Sequence, residues 1–189
     1  MSDISTDTLF TTFSTNLAAA GGIAHRVEAI ADAVATISDI PGHGDDRVIW
    51  VSSRLRDAQP DLMTALNDAG FDLKVPDDPA TVRDQPVGLT IARIGIAETG
   101  SLLLHEPEVA DRSVSLMTNV LIVICPLDAL VPSLDEAGEV LREISTNGSS
   151  YATFVTGPSR TADIERQLTI GVQGPAAMHV VFIEGNASS

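Results

Sequence analysis

The two stretches of this sequence best suited to chemistry lie far apart along the chain. The later one, residues 156–165, spans the point where a predicted strand ends and a predicted helix begins. Open α/β sheets bind ligands at such points, and the free N–H groups at the start of a helix favour an anion. Arg160 adds a fixed positive charge with a forked set of donors. The alternative is a well-capped helix without a ligand, and the spacing alone leaves both open. The candidate ligand contacts here are Gly157, Pro158, Ser159, Arg160, Thr161 and Asp163.

Glu98 lies in the earlier stretch, a short turn-like segment inside an apolar region. A buried carboxylate is costly unless it is paired or hydrogen-bonded. One interpretation makes Glu98 a catalytic nucleophile, a base, or an acceptor for a substrate hydroxyl or amine. The other makes it a buried structural acceptor for N–H groups of the turn. The candidate ligand contacts beside Glu98 are Gly95, Thr99 and Gly100.

Arg112 and the loop over residues 171–175 complete the set of candidate ligand contacts. Arg112 either reaches a ligand carboxylate or pairs with the adjacent Asp111. In the loop, Gln173 and Gly174 follow the predicted anion site closely, although such glycines also serve simply to reverse the chain.

No spacing of histidine or cysteine in the sequence indicates a metal site. His105 with Glu106 and Glu108 departs from the His-Glu-x-x-His pattern, and we expect the other histidines, His179 among them, to be structural or solvated. Cys125 closes an apolar run and is predicted to be an inert buried thiol. Because iron–sulfur clusters need several thiolates, we expect this chain to bind no cofactor and any cluster to reside in partner proteins.

The composition restricts the classes of partner. The chain has 189 residues, with 11 Lys and Arg against 26 Asp and Glu, for a net charge of −15. Such a surface repels phosphate backbones and anionic lipid, so we expect no nucleic acid and no membrane insertion. The acidic first residues do not resemble a signal peptide, and we predict a cytoplasmic protein.

Alternating strands and helices must position these residues. The pattern predicts an α/β fold with a mostly parallel sheet and flanking helices, in which residues 1–44 are an N-terminal helical segment packed on a domain over residues 45–189. The predicted helices cover residues 6–20, 25–37, 60–69, 134–144 and 161–169. The predicted strands cover residues 47–51, 71–75, 87–91, 101–104, 119–125, 151–155 and 179–183.

In this order, the Glu98 segment, Arg112, residues 156–165 and residues 171–175 resemble the LUD-domain family over roughly residues 45–184. The resemblance implies a fold similar to the NagB/RpiA/CoA-transferase group and participation in lactate oxidation beside two iron–sulfur proteins. One position departs from the family. Related sequences often carry His where Gln173 stands, and an amide cannot shuttle protons near neutrality.

Three functional hypotheses follow from the residues and the resemblance together. The first is an accessory or regulatory subunit of an L-lactate oxidation system, with Arg160 holding a small carboxylate or phosphate and Glu98 orienting a hydroxyl. The second is a CoA-transferase-like enzyme with Glu98 as carboxylate nucleophile. The third is a sugar-phosphate isomerase or binding protein. The first hypothesis places Arg160 and Glu98 in one pocket.

Overall fold

A computed structural model of the chain describes residues 4–146, 151–161, 169–170 and 174–184. The strands within these residues are β1 (Ile23–Val27), β2 (Val48–Val51), β3 (Asp72–Lys74), β4 (Val87–Ile96), β5 (Ser101–His105), β6 (Val120–Pro126), β7 (Leu130–Val131), β8 (Ala152–Val155), β9 (Arg160–Thr161), β10 (Thr169–Ile170) and β11 (Ala177–Ile183). The α-helices are α1 (Thr6–Ala19), α2 (Ile30–Asp39), α3 (Ser53–Ala58), α4 (Pro60–Asp68), α5 (Val109–Met117) and α6 (Leu134–Thr146).

The main sheet runs in the order β1-β11-β6-β4-β2-β3, and every pair along this path is parallel. The long strand β4 changes partners along its length. Its first half pairs with β6 and β2. Its second half, from Ala92 onwards, pairs antiparallel with β5 and contains a bulge between Ala92 and Ile94. β8 then extends the antiparallel part beyond β5. The predicted α/β fold with a mostly parallel sheet is therefore confirmed.

Both faces of the central strands are covered, as the uninterrupted apolar run over residues 119–125 predicts. On one face, Ile122 and Ile124 of β6 belong to a core that includes Ile37 of α2. On the other face, Val123 belongs to a core that includes Phe13 of α1. Helices on both faces of a parallel sheet make the layered arrangement typical of α/β proteins.

The prediction of a helix over residues 25–37 is wrong at its start. Ile23–Val27 form β1, an edge strand parallel to β11, and α2 begins only at Ile30. Within this strand Val27 is buried and the adjacent Arg26 is exposed, because successive side chains of a strand point to opposite faces. Residues 1–44 thus contribute a strand to the main sheet as well as helices.

The prediction of a helix over residues 161–169 is also wrong at both of its ends. Thr161 pairs with Thr169 in an antiparallel ladder between β9 and β10. Directly opposed residues in such a ladder are about 4.5–5.5 Å apart, whereas the ends of a nine-residue helix are about 12 Å apart. Residues 162–168 lie outside the described part of the chain.

Candidate functional site

Two of the predicted site segments meet at the last turn of α1. Gly100 and Gly157 both have positive φ angles, 63° and 67°. A Cβ atom on Gly157 would lie 2.5 Å from the carbonyl oxygen of Ala20, and one on Gly100 would overlap the backbone nitrogen of Leu17. These glycines allow the close backbone packing against α1, and their predicted ligand contacts stay predictions.

Other predicted contacts gather at the same place. A Cβ atom on Gly21, just after α1, would lie 2.7 Å from Nη2 of Arg160 and 3.5 Å from the ring of Pro158. The backbone N–H of Ser159 donates to the carbonyl oxygen of Pro175 at 2.8 Å. A Cβ atom on Gly174 would in turn lie 3.0 Å from Cβ of Ser159. The chain thus brings the residues around Arg160 beside the end of α1.

Arg160 and Thr161 do not form the predicted start of a helix. Arg160 and Thr161 belong to strand β9, whose backbone groups pair with β10, so they are not the free N–H groups of a helix start. Arg160 itself is exposed. Asp163 and Gln173 lie outside the described residues, and their predicted roles stay predictions.

Glu98 acts as the cap of a helix. Its side chain is exposed rather than buried, and Oε1 accepts a hydrogen bond from the backbone N–H of Leu134, the first residue of α6, at 2.6 Å. The amide of Asn16 donates to the carbonyl oxygens of Ala97 and Glu98, at 2.9 Å each, and so fixes the turn to α1. A carboxylate at the start of a helix also complements the helix dipole.

The predicted contacts beside Glu98 differ in their exposure. Thr99 is exposed beside it. Gly95 belongs to β4 and is buried, and a Cβ atom there would lie 3.0 Å from Leu130 and 3.3 Å from Phe182. Gly95 therefore packs against the core, and its predicted ligand contact stays a prediction.

Arg112 lies at the other end of β5 from the Glu98 turn, about 13 Å along the strand. Its guanidinium donates to the carbonyl oxygens of Glu106 at 2.9 Å and Pro107 at 2.6 Å, and it lies 4.1 Å from the ring centre of Tyr151. These contacts hold the segment after β5 in place. The carboxylate of Asp111 instead accepts from the backbone N–H and the hydroxyl of Ser53, at 2.7 Å each.

Glu106 is the centre of a buried polar network that the sequence does not reveal. It is 1% exposed, and its carboxyl group accepts from Thr90 at 3.0 Å and from Ser115 at 2.7 Å. Burial raises the pKa of Glu106 to about 7, although both hydrogen bonds favour the charged form. Its only sequence signal is a carboxylate directly after an apolar strand.

The network continues from Thr90 to Ser52, whose hydroxyl lies 3.0 Å from that of Thr90. The single hydroxyl hydrogen of Thr90 cannot be donated to both neighbours at once. When Glu106 is ionised, Ser52 donates to Thr90 and Thr90 donates to Glu106. When Glu106 is neutral, it donates to Thr90, which donates to Ser52. The chain of hydroxyls can thus accommodate either protonation state without moving heavy atoms.

The Glu106 network lies under a junction of strands, where β2 ends and β5 replaces it beside β4. His105, the last residue of β5, is half-buried here and its Nε2 atom has no partner within the described part of the chain. Burial lowers the pKa of His105, and the charges of Arg54 and Arg93 lower it further. Arg93 occupies the bulge of β4 and donates to Glu143 of α6 at 3.1 Å. We call Arg54, Arg93 and His105 the junction cluster.

The junction cluster is a concentration of basic groups on a chain with a net charge of −15. Bulges often re-aim side chains next to functional sites, and guanidinium groups bind carboxylates with two parallel hydrogen bonds. A small anion at this cluster would compete with Glu143 for Arg93. Sequence analysis missed it because its members come from three separate elements.

Across the described ranges, no helix is both long and apolar enough to cross a membrane. Within the same residues, no three His, Cys, Asp or Glu side chains form a group able to hold a metal ion. Cys125 is fully buried as predicted, and burial raises the pKa of its thiol.

The fold and this arrangement are those of a layered α/β protein with a partly antiparallel extension of its sheet. The LUD domain family matches residues 10–183, and the chain belongs to that family. A solved structure of a DUF162 family protein from Deinococcus radiodurans has the same fold, with a TM-score of 0.70 over 97% of this chain and all of that one. The two sequences are 20% identical.

Curated relatives match part of the chain. A protein of Bacillus subtilis (strain 168) called lactate utilization protein C is 36% identical over 100 residues, which are 51% of this chain and 42% of that protein. A protein of the same name from Oceanobacillus iheyensis is 37% identical over 101 residues, 52% of this chain and 43% of the relative. The matched segment thus spans less than half the length of these relatives.

Proposed function

We propose that this chain acts in lactate utilisation, as an accessory or regulatory subunit that binds a small carboxylate in the cytoplasm. The observation that carries this proposal is the 36% identity over 100 residues to a relative named lactate utilization protein C. Membership of the LUD domain family over residues 10–183 supports it.

The ligand we propose is a small monocarboxylate, with L-lactate as the first candidate. The junction cluster offers the guanidinium of Arg54 and the imidazole of His105, while the guanidinium of Arg93 is already paired with Glu143. A forked guanidinium matches the two oxygens of a carboxylate, and a neutral imidazole can bond an adjacent hydroxyl. Arg160 beside Gly21 is the other cation suited to this ligand.

The partners we propose are iron–sulfur proteins of a lactate-oxidising system. Oxidation of lactate to pyruvate releases two electrons, which require a redox carrier. Iron–sulfur clusters are held by several cysteine thiolates, and this chain has one cysteine, fully buried. Any iron–sulfur carrier would therefore belong to other subunits.

Ligand binding tests the first half of the proposal. Thermal melting of the purified chain is followed with L-lactate, D-lactate, acetate, phosphate and an acyl-CoA. A ligand at 100 times its dissociation constant stabilises the folded state by about 2.7 kcal/mol, and we expect L-lactate to raise Tm. Arg54→Ala should abolish the shift and Arg160→Ala should retain it. The reverse result would move the site to Arg160, and no shift with any carboxylate would contradict carboxylate binding.

Co-purification tests the second half. The tagged chain is isolated from its own host grown on lactate, and bound proteins are examined by visible absorption and iron analysis. We expect brown, iron-containing partners in fixed proportion to the chain. Their absence in cells that are oxidising lactate would contradict a subunit role.

A further inference from the structure

His25 and His179 form a hydrogen-bonded pair that the proposed function does not use. They lie on the adjacent parallel strands β1 and β11. Nε2 of His25 is 3.1 Å from Nδ1 of His179, the distance of a direct N–H···N hydrogen bond. A neutral imidazole has one donor and one acceptor nitrogen, whereas a protonated imidazole has two donors. The bond therefore exists only while at least one of the two rings is neutral.

The bond joins the edge strand β1 to the rest of the sheet. Among the described residues, β11 is the only strand that pairs with β1. The strand has five residues, and only Val27 is buried. Elements with few buried contacts open locally at a lower free-energy cost than the core of a protein. Loss of the bond between the two histidines should therefore act on β1 before it acts on the central strands.

One charged side chain faces the histidine pair. Both imidazoles line an open cavity of about 270 Å³, and the carboxylate of Asp39 at the end of α2 lines it with them. The remaining described residues that line the cavity are Thr36, Ile40 and Pro41. The strand residues paired with the two histidines are the apolar Ile23, Ile122 and Val181. The charge on the pair is thus opposed by a single carboxylate.

The other charged groups of β1 lie on its opposite face. Arg26 is adjacent to His25 in the strand, so the two side chains point to opposite faces. The guanidinium of Arg26 pairs there with Asp7 and Glu184. These ion pairs are the same whether or not the histidines are replaced, so a comparison of variants isolates the histidine pair.

The two rings differ in how readily they accept a proton. Burial lowers the pKa of both imidazoles, and burial together with the neighbouring His25 lowers that of His179 to about 4. His25 is half-buried, whereas His179 is 7% exposed, so the first proton enters at His25. Nε2 of a protonated His25 still donates to Nδ1 of His179, and the bond survives. A second proton, on His179, removes the last acceptor.

We propose that His25 and His179 form an acid-sensitive latch that holds the edge strand β1 on the sheet. The latch is closed when the pair has taken up no proton or one proton. When both rings are protonated, two N–H donors and two positive charges face each other, and the one carboxylate of Asp39 cannot offset both. β1 then separates from β11 while the central strands stay paired.

The direction of the pH dependence follows from the exposure of the rings when β1 opens. In the open form both imidazoles return towards their ordinary pKa of 6.5, while in the closed form that of His179 is about 4. The open form therefore binds more protons between these values, and the closed form loses stability as the pH falls from 6.5 towards 4. We expect the opening equilibrium constant of β1 to rise about tenfold between pH 7 and pH 5.

Hydrogen exchange of the backbone amides of the purified chain, corrected for the intrinsic exchange rate at each pH, tests the latch. Between pH 7 and pH 5, protection of β1 should fall about tenfold, and protection of the central strand β6 should change much less. The double variant His25→Gln, His179→Gln should lose this difference, since amides hydrogen-bond without titrating. His43→Gln is the matched control and should behave as the wild type, because His43 contacts the carbonyl oxygen of Ile37 and not the pair.

Three results of this experiment would overturn the latch. They are constant protection of β1 in the wild type, an equal fall in the double variant, and an equal fall in β1 and β6. Nitrogen-15 NMR of the imidazole rings in the wild type gives a test that needs no variant. We expect His25 to take up its proton before His179, with Nδ1 of His179 still unprotonated after the first step. Joint protonation of both rings near pH 6.5 would also overturn the proposal.

Discussion

The carboxyl group of Glu106 accepts a hydrogen bond from the hydroxyl of Ser115 at 2.7 Å, in a part of the core where both residues are at most 2% exposed. Glu106 comes from the end of β5 and Ser115 from α5, so this bond holds α5 to the sheet. Burial raises the pKa of Glu106 to about 7. The free energy of unfolding therefore depends on whether Glu106 is protonated.

Replacement of Glu106 by Gln should alter the pH dependence of stability. In the unfolded chain Glu106 ionises near its ordinary pKa of 4.5, but in the folded chain it keeps its proton until about pH 7. The folded state binds more protons in this window, so the contribution of Glu106 to the unfolding free energy falls as pH rises from 4.5 to 7. The whole fall is about 3 kcal/mol. Urea unfolding of the wild type and Glu106→Gln between pH 4.5 and 8 measures it.

The difference between the two proteins is the informative quantity. Other groups, such as His179, titrate in the same window and cancel when the variant is subtracted. Glutamine can accept from Ser115 and donate to Thr90, so the variant should fold. Parallel pH profiles of wild type and variant would contradict the assignment of a raised pKa to Glu106.

Substitution of Gly157 by Ala should destabilise the protein by at least about 2 kcal/mol, because a positive φ and an overlap with the backbone of Ala20 coincide there. Gly138 provides the matched control. It lies in α6 with no atom within 4 Å of a Cβ, and Gly138→Ala should stabilise the protein by about 0.5–1 kcal/mol. Equal effects at both glycines would show that Gly157 is not packed against α1.

Arg112 and Tyr151 should be energetically coupled. The guanidinium lies 4.1 Å from the ring centre, a distance at which a cation–π contact contributes about 0.5–2 kcal/mol. Two double-mutant cycles measure it, one combining Arg112→Ala with Tyr151→Leu and one combining Arg112→Ala with Tyr151→Phe. The Leu cycle should give this coupling energy, and the Phe cycle should give almost none because Phe keeps the ring. Additive effects of Arg112→Ala and Tyr151→Leu would contradict a stabilising cation–π contact between the two residues.

Glu98 should behave as a helix cap and not as a nucleophile. Glu98→Ala removes the acceptor for Leu134 and should cost about 0.5–2 kcal/mol, and Glu98→Gln should cost less because its amide oxygen still accepts. Mass spectrometry after incubation with acyl-CoA should show no adduct on the chain. An acyl or CoA mass on Glu98 would instead support the CoA-transferase hypothesis.

The strands could be predicted where the hydrophobic pattern of a segment fitted only one kind of secondary structure. The apolar run over residues 119–125 became β6, and the run over residues 151–155 became β8. The strand β1 was missed because it has only five residues, of which only Val27 is buried, and it lies directly before a helical pattern that can include them. The boundary between such a short strand and the helix that follows it cannot be read from the sequence pattern.

The candidate site was less accessible to prediction. The glycines of the two motif segments have structural roles that follow only from the position of α1, as Gly157 against Ala20 shows. The Glu106 network joins Ser52, Thr90 and Ser115, which are up to 63 residues apart, and no local spacing relates them. The family could be recognised from motifs, but the contacts of its residues depend on long-range packing.

Growth on lactate tests the central claim most directly. A deletion of the gene for this chain is compared with the wild type in medium with L-lactate as sole carbon source, and with pyruvate, the two-electron oxidation product, as control. The account predicts loss of growth on L-lactate, normal growth on pyruvate, and rescue by the intact gene. Undiminished growth of the deletion strain on L-lactate would contradict it.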